Sequence, residues 1–323
     1  MEKSLRVLVT GGAGFIGSNL VRSLLSQNHE VNVLDDFSTG LKSNISGLEV
    51  EVFEGSVANK KILSDAARSV DSIVHLAARG SVPRSIRNPQ ATFDVNVQGT
   101  LNVCEIAREQ NIPVVFSSSS SVYGANTSDN KVENAWLSPL SPYAASKLSG
   151  EALMLAFANS FSIQTAVFRL FNVYGPGQRP EHQYSAVIPK WLWASQRGEE
   201  LKVFGDGHTS RDFTFIDNVV EILSLTVMEN RYFSGVTNLA FGNPVTLLDV
   251  LSEIKKIEPK ILVNHYETRQ GDIRDSNNAS KRLIELFPEV IPFPLEVGIL
   301  RTSAWLKEMQ NEIETHPLVL SDD

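Results

Sequence analysis

The chain has 323 residues, 42% of them hydrophobic and 20% charged, with a net charge of −8. That length accommodates one large domain or two modest ones with an ample core, and the acid excess argues against a nucleic-acid binder that relies on a basic surface. The single cysteine (Cys104) excludes an intrachain disulfide, the six histidines lack metal-ligand spacing, and no apolar run approaches a membrane span, so no metal site and no membrane attachment are expected. The N-terminus, MEKSLRVLVTGGAGF, makes a poor secretory signal because of its glycines, so the expected location is cytoplasmic.

In chain order, six short runs read as strands: 6–10 (RVLVT), 31–35 (VNVLD), 50–55 (VEVFEG), 72–78 (SIVHLAA), 113–119 (PVVFSSS) and 164–170 (QTAVFRL). Most are nearly continuous apolar runs, as strands covered on both faces should be. Helical periodicity lies between them. Phe93, Val97, Leu101 and Cys104 fall on one helical stripe, and PYAASKLSGEALMLAFA forms a long helix. The alternation predicts an α/β fold, a doubly wound parallel Rossmann sheet, over residues 1–170. From 171 to 323 the texture changes to a loop (NVYGPGQRPEHQ), a helix (AVIPKWLWASQRG), a strand and turn (ELKVFGDG) and another helix (TLLDVLSEIKK). This reads as a smaller mixed α/β substrate-binding domain, with a soft boundary across which the chain can weave.

The stretch LVTGGAGFIG follows the first strand and opens a helix. Gly12, Gly14 and Gly17 satisfy one dinucleotide-binding glycine pattern, and Gly11, Gly14 and Gly17 a second. In both, one glycine makes the tight turn, one admits the pyrophosphate and one lets the helix approach the sheet. The helix N-terminus offers free N–H groups to the phosphates. Asp35, at the end of the second strand, suits an adenosine ribose and would repel a 2′-phosphate, which favours NAD over NADP; Asp36 can share the role.

In SPYAASK, Tyr143 and Lys147 stand four residues apart and so share a helix face. An ammonium close to a phenol brings its high pKa toward working pH. Five serines in a row, Ser117–Ser121, would by themselves suggest a flexible spacer. Here they continue an apolar strand toward the end where open α/β sheets place ligands.

The ordered set VTGGAGFIGS, HLAA, NVQGT, FSSSSSVYG, SPYAASK, FRLFNVYGPGQ, GDGHTSRDFTFIDNVVE and RQGDIR resembles the extended short-chain dehydrogenase/reductases, closest to the nucleotide-sugar 4-epimerases, over most of the chain. The resemblance implies a catalytic set of Ser119, Tyr143 and Lys147 beside a tightly held NAD. Tyr143 would act as base, Ser119 would hydrogen-bond the reacting oxygen, and Lys147 would lower the tyrosine pKa and hold the nicotinamide ribose. It implies NAD contacts from Gly11, Gly14, Phe15, Ile16, Gly17, Asp35, Asp36, Ser56, Val57, Leu76, Ala77, Ala78, Asn96, Ser117 and Ser118, besides Tyr143 and Lys147. Substrate contacts would come from Ser120, Asn172, Val187, Phe204, Arg211, Arg269, Asp272 and Ser276, with Arg211 and Arg269 on the diphosphate, where a guanidinium binds in a bidentate fashion.

Departures from the pattern are informative. Ser56 stands where the family often has an aspartate near the adenine, and Gly80 where it often has a lysine. Ser120 and Ser121 replace the acids that related dehydratases and decarboxylases carry before the VYG segment, which leaves reversible oxidation and reduction at one carbon as the simplest chemistry. The GSVPRSIRNP, YSAVIPKW and GDGHTSRDF segments and a small residue at Ser276 resemble the subgroup active on N-acetylated sugars. The implied substrates are UDP-GlcNAc and UDP-GalNAc, with UDP-glucose/UDP-galactose or the UDP-uronic acids as alternatives. A net nucleotide-sugar oxidoreductase and a non-catalytic NAD-binding regulator are the readings from other classes. A homodimer packed through the helices beginning near Asn88 and Tyr143 is also implied by the resemblance.

Overall fold

Apolar runs bounded by turn residues become strands here because neighbouring helices cover both of their faces. The computed structural model describes residues 4–126, 128, 130–180, 186–267, 275–278 and 280–315. In chain order it begins with β1 (Arg6–Thr10), α1 (Phe15–Ser26), β2 (Glu30–Asp35), β3 (Val50–Glu54), α2 (Lys60–Ala66) and β4 (Ser72–His75). Then come α3 (Val82–Arg87), α4 (Pro89–Phe93), α5 (Gly99–Gln110), β5 (Val114–Ser119), β6 (Asn130–Lys131), α6 (Pro142–Phe161) and β7 (Thr165–Leu170). The remaining chain forms β8 (Val173–Tyr174), α7 (Val187–Gln196), β9 (Glu200–Phe204), β10 (Ser210–Asp212), β11 (Thr214–Phe215) and α8 (Ile216–Met228). It ends with β12 (Val236–Leu239), β13 (Pro244–Thr246), α9 (Leu247–Ile257), β14 (Leu262–Tyr266), β15 (Asp275–Asn278), α10 (Lys281–Leu286), α11 (Leu295–Glu308) and α12 (Gln310–Thr315).

Seven strands form the central sheet in the order β12-β7-β5-β4-β1-β2-β3. Every pairing in it is parallel. The order reverses between β1 and β4, and such a switch point opens a crevice at the strands' C-terminal ends. Leu8, Leu34, Ile73 and Phe116 pack toward α2, α5 and α6, while Val7, Val9 and Val33 pack toward α1 and α8. After β7 the chain builds small sheets, β13-β10-β15-β6 among them, yet β12 returns to the edge of the large sheet beside β7.

Two local expectations are corrected. The fourth strand ends at His75 rather than at residue 78: the Leu76 amide still donates to the Thr10 carbonyl at 3.1 Å, but the Ala77 amide goes to the Thr10 hydroxyl at 3.2 Å instead of to a strand carbonyl. The stripe through Phe93, Val97 and Leu101 does not form the buried face. A π-helical turn, Asp94–Gln98, joins α4 to α5 and rotates the helix phase. Thr92, Asn96, Thr100, Val103 and Ala107 are buried together with Cys104, whereas Phe93 is exposed.

Candidate active site

The loop after β1 needs its glycines for different reasons. Gly11 has φ +71°, a left-handed conformation, and a β-carbon there would lie 2.8 Å from the Ala77 amide nitrogen. A β-carbon on Gly17 would lie 2.1 Å from the Gly11 carbonyl oxygen, so only glycine lets α1 start this close to the loop. Gly14 caps α1 without any side-chain hydrogen bond, leaving the first amides of the helix open to an anion.

At the end of β2, Asp35 accepts the Ala13 amide on Oδ2 and the Phe37 amide on Oδ1, both at 2.9 Å. Burial pushes this carboxyl up while those two amides pull it down. Each oxygen keeps a lone pair for a ribose hydroxyl. Asp36 is engaged by Ser38, whose amide and hydroxyl both donate to it. Ser56 begins a turn in which its Oγ accepts the Ala58 amide at 3.2 Å.

Behind the switch point a buried chain of hydroxyls fixes β4. Thr100 Oγ1 donates to the Asn96 carbonyl at 2.6 Å, so it accepts from His75 Nε2 at 3.1 Å. His75 Nδ1 is then an acceptor for the Thr10 hydroxyl at 2.8 Å, and Thr10 in turn accepts the Ala77 amide at 3.2 Å. Burial first, then the charge of Lys147, pushes His75 down to about 3, so it stays neutral. This histidine is a strut that holds Ala77 in place.

The serine run is no spacer. Ser117, Ser118 and Ser119 complete β5, and Ser120–Tyr123 form a 3₁₀ turn. Ser119 caps that turn, accepting the Ser121 amide at 3.2 Å. Ser117 Oγ donates to the His75 carbonyl at 3.3 Å. Opposite them, α6 begins with Ser141 as its cap and Pro142 in its first turn, and Ser85 of α3 accepts the Tyr143 amide at 3.0 Å. Gly150 of α6 packs so closely on Phe116 that a β-carbon would come within 2.5 Å of the ring, which sets the helix hard against β5.

Lys147 is buried on that face and donates to the Ser117 carbonyl at 2.8 Å. Burial pushes it down to about 8, with Glu151 opposing. The expected lowering of the Tyr143 phenol by Lys147 is not what the geometry gives. Burial pushes Tyr143 up, and the opposing influence is its hydrogen bond with Ser119. The ammonium is turned toward the β5 backbone and lies 5.3 Å from the Phe116 ring centre.

These residues share one cleft of about 540 Å³. Gly11, Gly14, Phe15, Ile16, Gly17, Asp35, Asp36, Ser56, Val57, Leu76, Ala77, Ala78, Ser117, Ser118, Ser119, Tyr143, Lys147 and Asn172 all line it. Asn96 does not: its Oδ1 accepts the Arg79 amide at 2.8 Å and its Nδ2 donates to Ser146 at 2.9 Å, so it supports the cleft from behind. Ser120, Val187, Phe204 and Arg211 also lie outside the lining, with Arg211 on β10 paired through its backbone to Ser276 of β15. Arg269 and Asp272 lie outside the described residues, as does the side chain of Ser276.

Sequence reasoning missed part of the lining. Ser38, Thr39, Leu41 and Asn44 follow β2; Arg79, Ser81 and Arg84 follow β4; Gly177, Gln178 and Arg179 follow β8. The available signal was position, since each group follows the C-terminal end of a parallel strand. Among the described lining residues the only carboxylates are Asp35 and Asp36, after β2, whereas Arg79, Arg84, Lys147 and Arg179 are cationic. A net-acidic protein thus presents a cation-rich cleft, suited to a phosphorylated ligand. No helix among the described residues is long and apolar enough to cross a membrane, and no cluster among them could hold a metal ion.

A parallel sheet with a glycine-bounded phosphate cradle, a ribose-facing acid and a Ser–Tyr–Lys group defines a nicotinamide-dinucleotide enzyme of the Rossmann class. The family pattern described as "NAD dependent epimerase/dehydratase family" matches residues 7–240. The chain belongs to that family, and NAD is its cofactor. It is 37% identical to the UDP-glucose 4-epimerase of Mycolicibacterium smegmatis over 67% of this chain and 71% of that one. The structure of UDP-N-acetylglucosamine 4-epimerase from Methanobrevibacter ruminantium, in complex with UDP-N-acetylmuramic acid, is 32% identical and superposes with a TM-score of 0.88 over 96% of this chain and all 100% of that one. TunA, an NAD-dependent NDP-hexosamine 5,6-dehydratase of tunicamycin biosynthesis, is 33% identical with a TM-score of 0.84, covering 94% of this chain and 98% of its own.

Proposed function

We propose that the protein is a UDP-sugar 4-epimerase acting on UDP-GlcNAc and UDP-GalNAc. The observation that carries the reaction type is the absence of any carboxylate from the Ser119–Tyr143–Lys147 part of the described lining. Dehydration needs a further acid or base to eliminate water, and Ser120 and Ser121 stand where such acids would. Epimerisation needs one proton-transferring group and a hydride carrier.

NAD, held by the glycine loop, Asp35 and Lys147, supplies the hydride acceptor and donor. Tyr143 takes the proton from the sugar 4-hydroxyl in its deprotonated form, which its hydrogen bond with Ser119 favours against the effect of burial. Ser119 donates a hydrogen bond to the same oxygen and steadies it as it becomes a ketone. The 4-keto sugar turns over within the cleft, so that the hydride it gave up returns to the opposite face of C4 while Tyr143 gives the proton back to the 4-oxygen. Arg211 and Arg269 are the residues that the resemblance puts on the sugar-nucleotide diphosphate, and Arg79, Arg84 and Arg179 add positive charge to the cleft. No net redox change occurs, so catalysis proceeds without added cofactor once NAD is bound.

The choice of an N-acetylated sugar is supported by the GSVPRS and GDGHTSRDF segments, the small residue Ser276 and the likeness to the UDP-N-acetylglucosamine 4-epimerase of Methanobrevibacter ruminantium. A homodimer is supported by exposed apolar residues on the helices near Asn88 and Tyr143: Val82, Ile86, Phe93 and Phe161. Proton NMR of the purified protein with UDP-GlcNAc, and separately with UDP-glucose, tests the assignment. Conversion of UDP-GlcNAc to its C4 epimer without added NAD is expected. Conversion of UDP-glucose alone overturns the sugar assignment, and release of stoichiometric NADH overturns epimerisation.

A further inference from the structure

Glu151 sits one helical turn beyond Lys147 on α6, is only 2% exposed, and has no part in the chemistry above. Both of its oxygens are held. Arg169 of β7 donates Nε to Oε1 at 2.9 Å and Nη2 to Oε2 at 2.8 Å, and Ser118 Oγ donates to Oε1 at 2.5 Å. Arg169 continues to the Tyr123 hydroxyl at 2.9 Å, and Tyr123 donates to Asn238 of β12 at 2.7 Å. Asn238 then donates to Asn278 of β15, also at 2.7 Å. One buried network therefore runs from the serine end of β5 to the strand that carries Ser276.

Stability alone is a weak reason for so deep an ion pair, since apolar packing serves as well at lower desolvation cost. Its location supplies a better one. Ser118 lies between Ser117, whose carbonyl receives Lys147, and Ser119, which hydrogen-bonds Tyr143. We propose that Glu151 is the positioning residue of this site: by clamping Ser118 and placing a negative charge one turn from Lys147, it keeps β5 in register with α6 and holds Lys147 at the Ser117 carbonyl.

The titratable and charged groups around this end of α6 agree with that role. Tyr143 and Glu151 come from α6 itself, neutral His75 from β4, Arg79 from the loop after β4, Arg84 from α3, Tyr123 from the 3₁₀ turn and Arg169 from β7, where it is committed to Glu151. Glu151 is the group that opposes the desolvation of Lys147. The kinetic consequence rests on the epimerase reading, whereas the titration of Lys147 does not.

Glu151→Gln leaves Arg169 buried opposite a neutral amide and can be too unstable to purify, so the double variant Glu151→Gln/Arg169→Gln accompanies it. Full-length protein labelled with [ε-¹³C]lysine gives the Lys147 titration directly, its resonance assigned by loss in Lys147→Met. In the double variant Lys147 is expected to titrate about one pH unit lower than in the wild type. The alkaline limb of kcat should move by the same amount, with KM for the sugar nucleotide little changed. An unchanged Lys147 titration in a folded double variant overturns the proposal, whatever happens to activity. Wild-type protein that epimerises no sugar nucleotide refutes the function above, and the titration still decides the role of Glu151.

Discussion

The Ser121 hydroxyl donates to the Ser119 hydroxyl oxygen at 2.9 Å, beside the Ser121 amide, which donates to the same atom at 3.2 Å. With two donors arriving from the turn, Ser119's own hydrogen is left for Tyr143 and, with substrate in the cleft, for the sugar 4-oxygen. Ser119→Ala should lower kcat by roughly 10²- to 10⁴-fold. Ser121→Ala removes only the orienting hydroxyl and should cost about tenfold, with KM nearly unchanged. NMR progress curves under saturating substrate read both. Equal losses in the two variants would contradict this division of labour.

Gly17→Ala tests the nucleotide cradle. The added carbon meets backbone rather than a flexible side chain, 2.1 Å from the Gly11 oxygen, so α1 must retreat from the loop. We expect destabilisation of roughly 1–3 kcal/mol and loss of NAD from the purified protein. Thermal unfolding and the absorbance of extracted cofactor check it. Retention of stoichiometric NAD would show that α1 can move without cost to the cradle.

Two buried groups give opposing pH dependences of stability. Asp212 is pushed up to about 6, mainly by burial, against the Gly242 and Phe241 amides. The folded protein therefore binds its proton more readily than the unfolded chain, and stability from this residue falls as pH rises from about 4 to 6. Asp212→Asn should be more stable at pH 8 by up to roughly 3 kcal/mol, a gain that vanishes near pH 4. His75, pushed down to about 3, acts in the other direction, since the unfolded chain gains its proton first. Each unit of acidification from pH 6.5 toward 3 costs about 1.4 kcal/mol at this site. Tm against pH should thus fall more steeply on acidification in Asp212→Asn than in the wild type. In His75→Gln, less stable at neutral pH, it should fall less steeply on acidification toward pH 4 than in the wild type. Parallel profiles for the three proteins would refute these assignments.

Ile86 of α3 is 61% exposed, on the surface proposed to pack a second copy. Ile86→Glu should shift the protein from dimer to monomer in size-exclusion chromatography with light scattering. A protein that is already monomeric would refute the dimer, and an unshifted dimer would place the interface elsewhere.

The sequence by itself determined the elements whose signal is local. Continuous apolar runs announced β1, β2 and β5, and glycine spacing with Asp35 announced the cradle, because backbone approach and strand burial leave residue-level marks. The Tyr143–Lys147 pair was legible for the same reason, as one helical turn brings the two together. Tertiary structure decided what depends on long-range packing. The π-helical turn at Asp94–Gln98 moved Phe93 to the surface and turned Asn96 inward to brace Arg79 and Ser146, and no local pattern marks such a phase change. Lys147 faces the Ser117 carbonyl rather than the tyrosine, because Gly150 brings α6 close against Phe116. The Glu151–Arg169 pair joins residues from α6 and β7 whose charges, read along the chain, look like solvated surface. Their meaning appears only when β5 and β7 lie side by side and close water out of the space between.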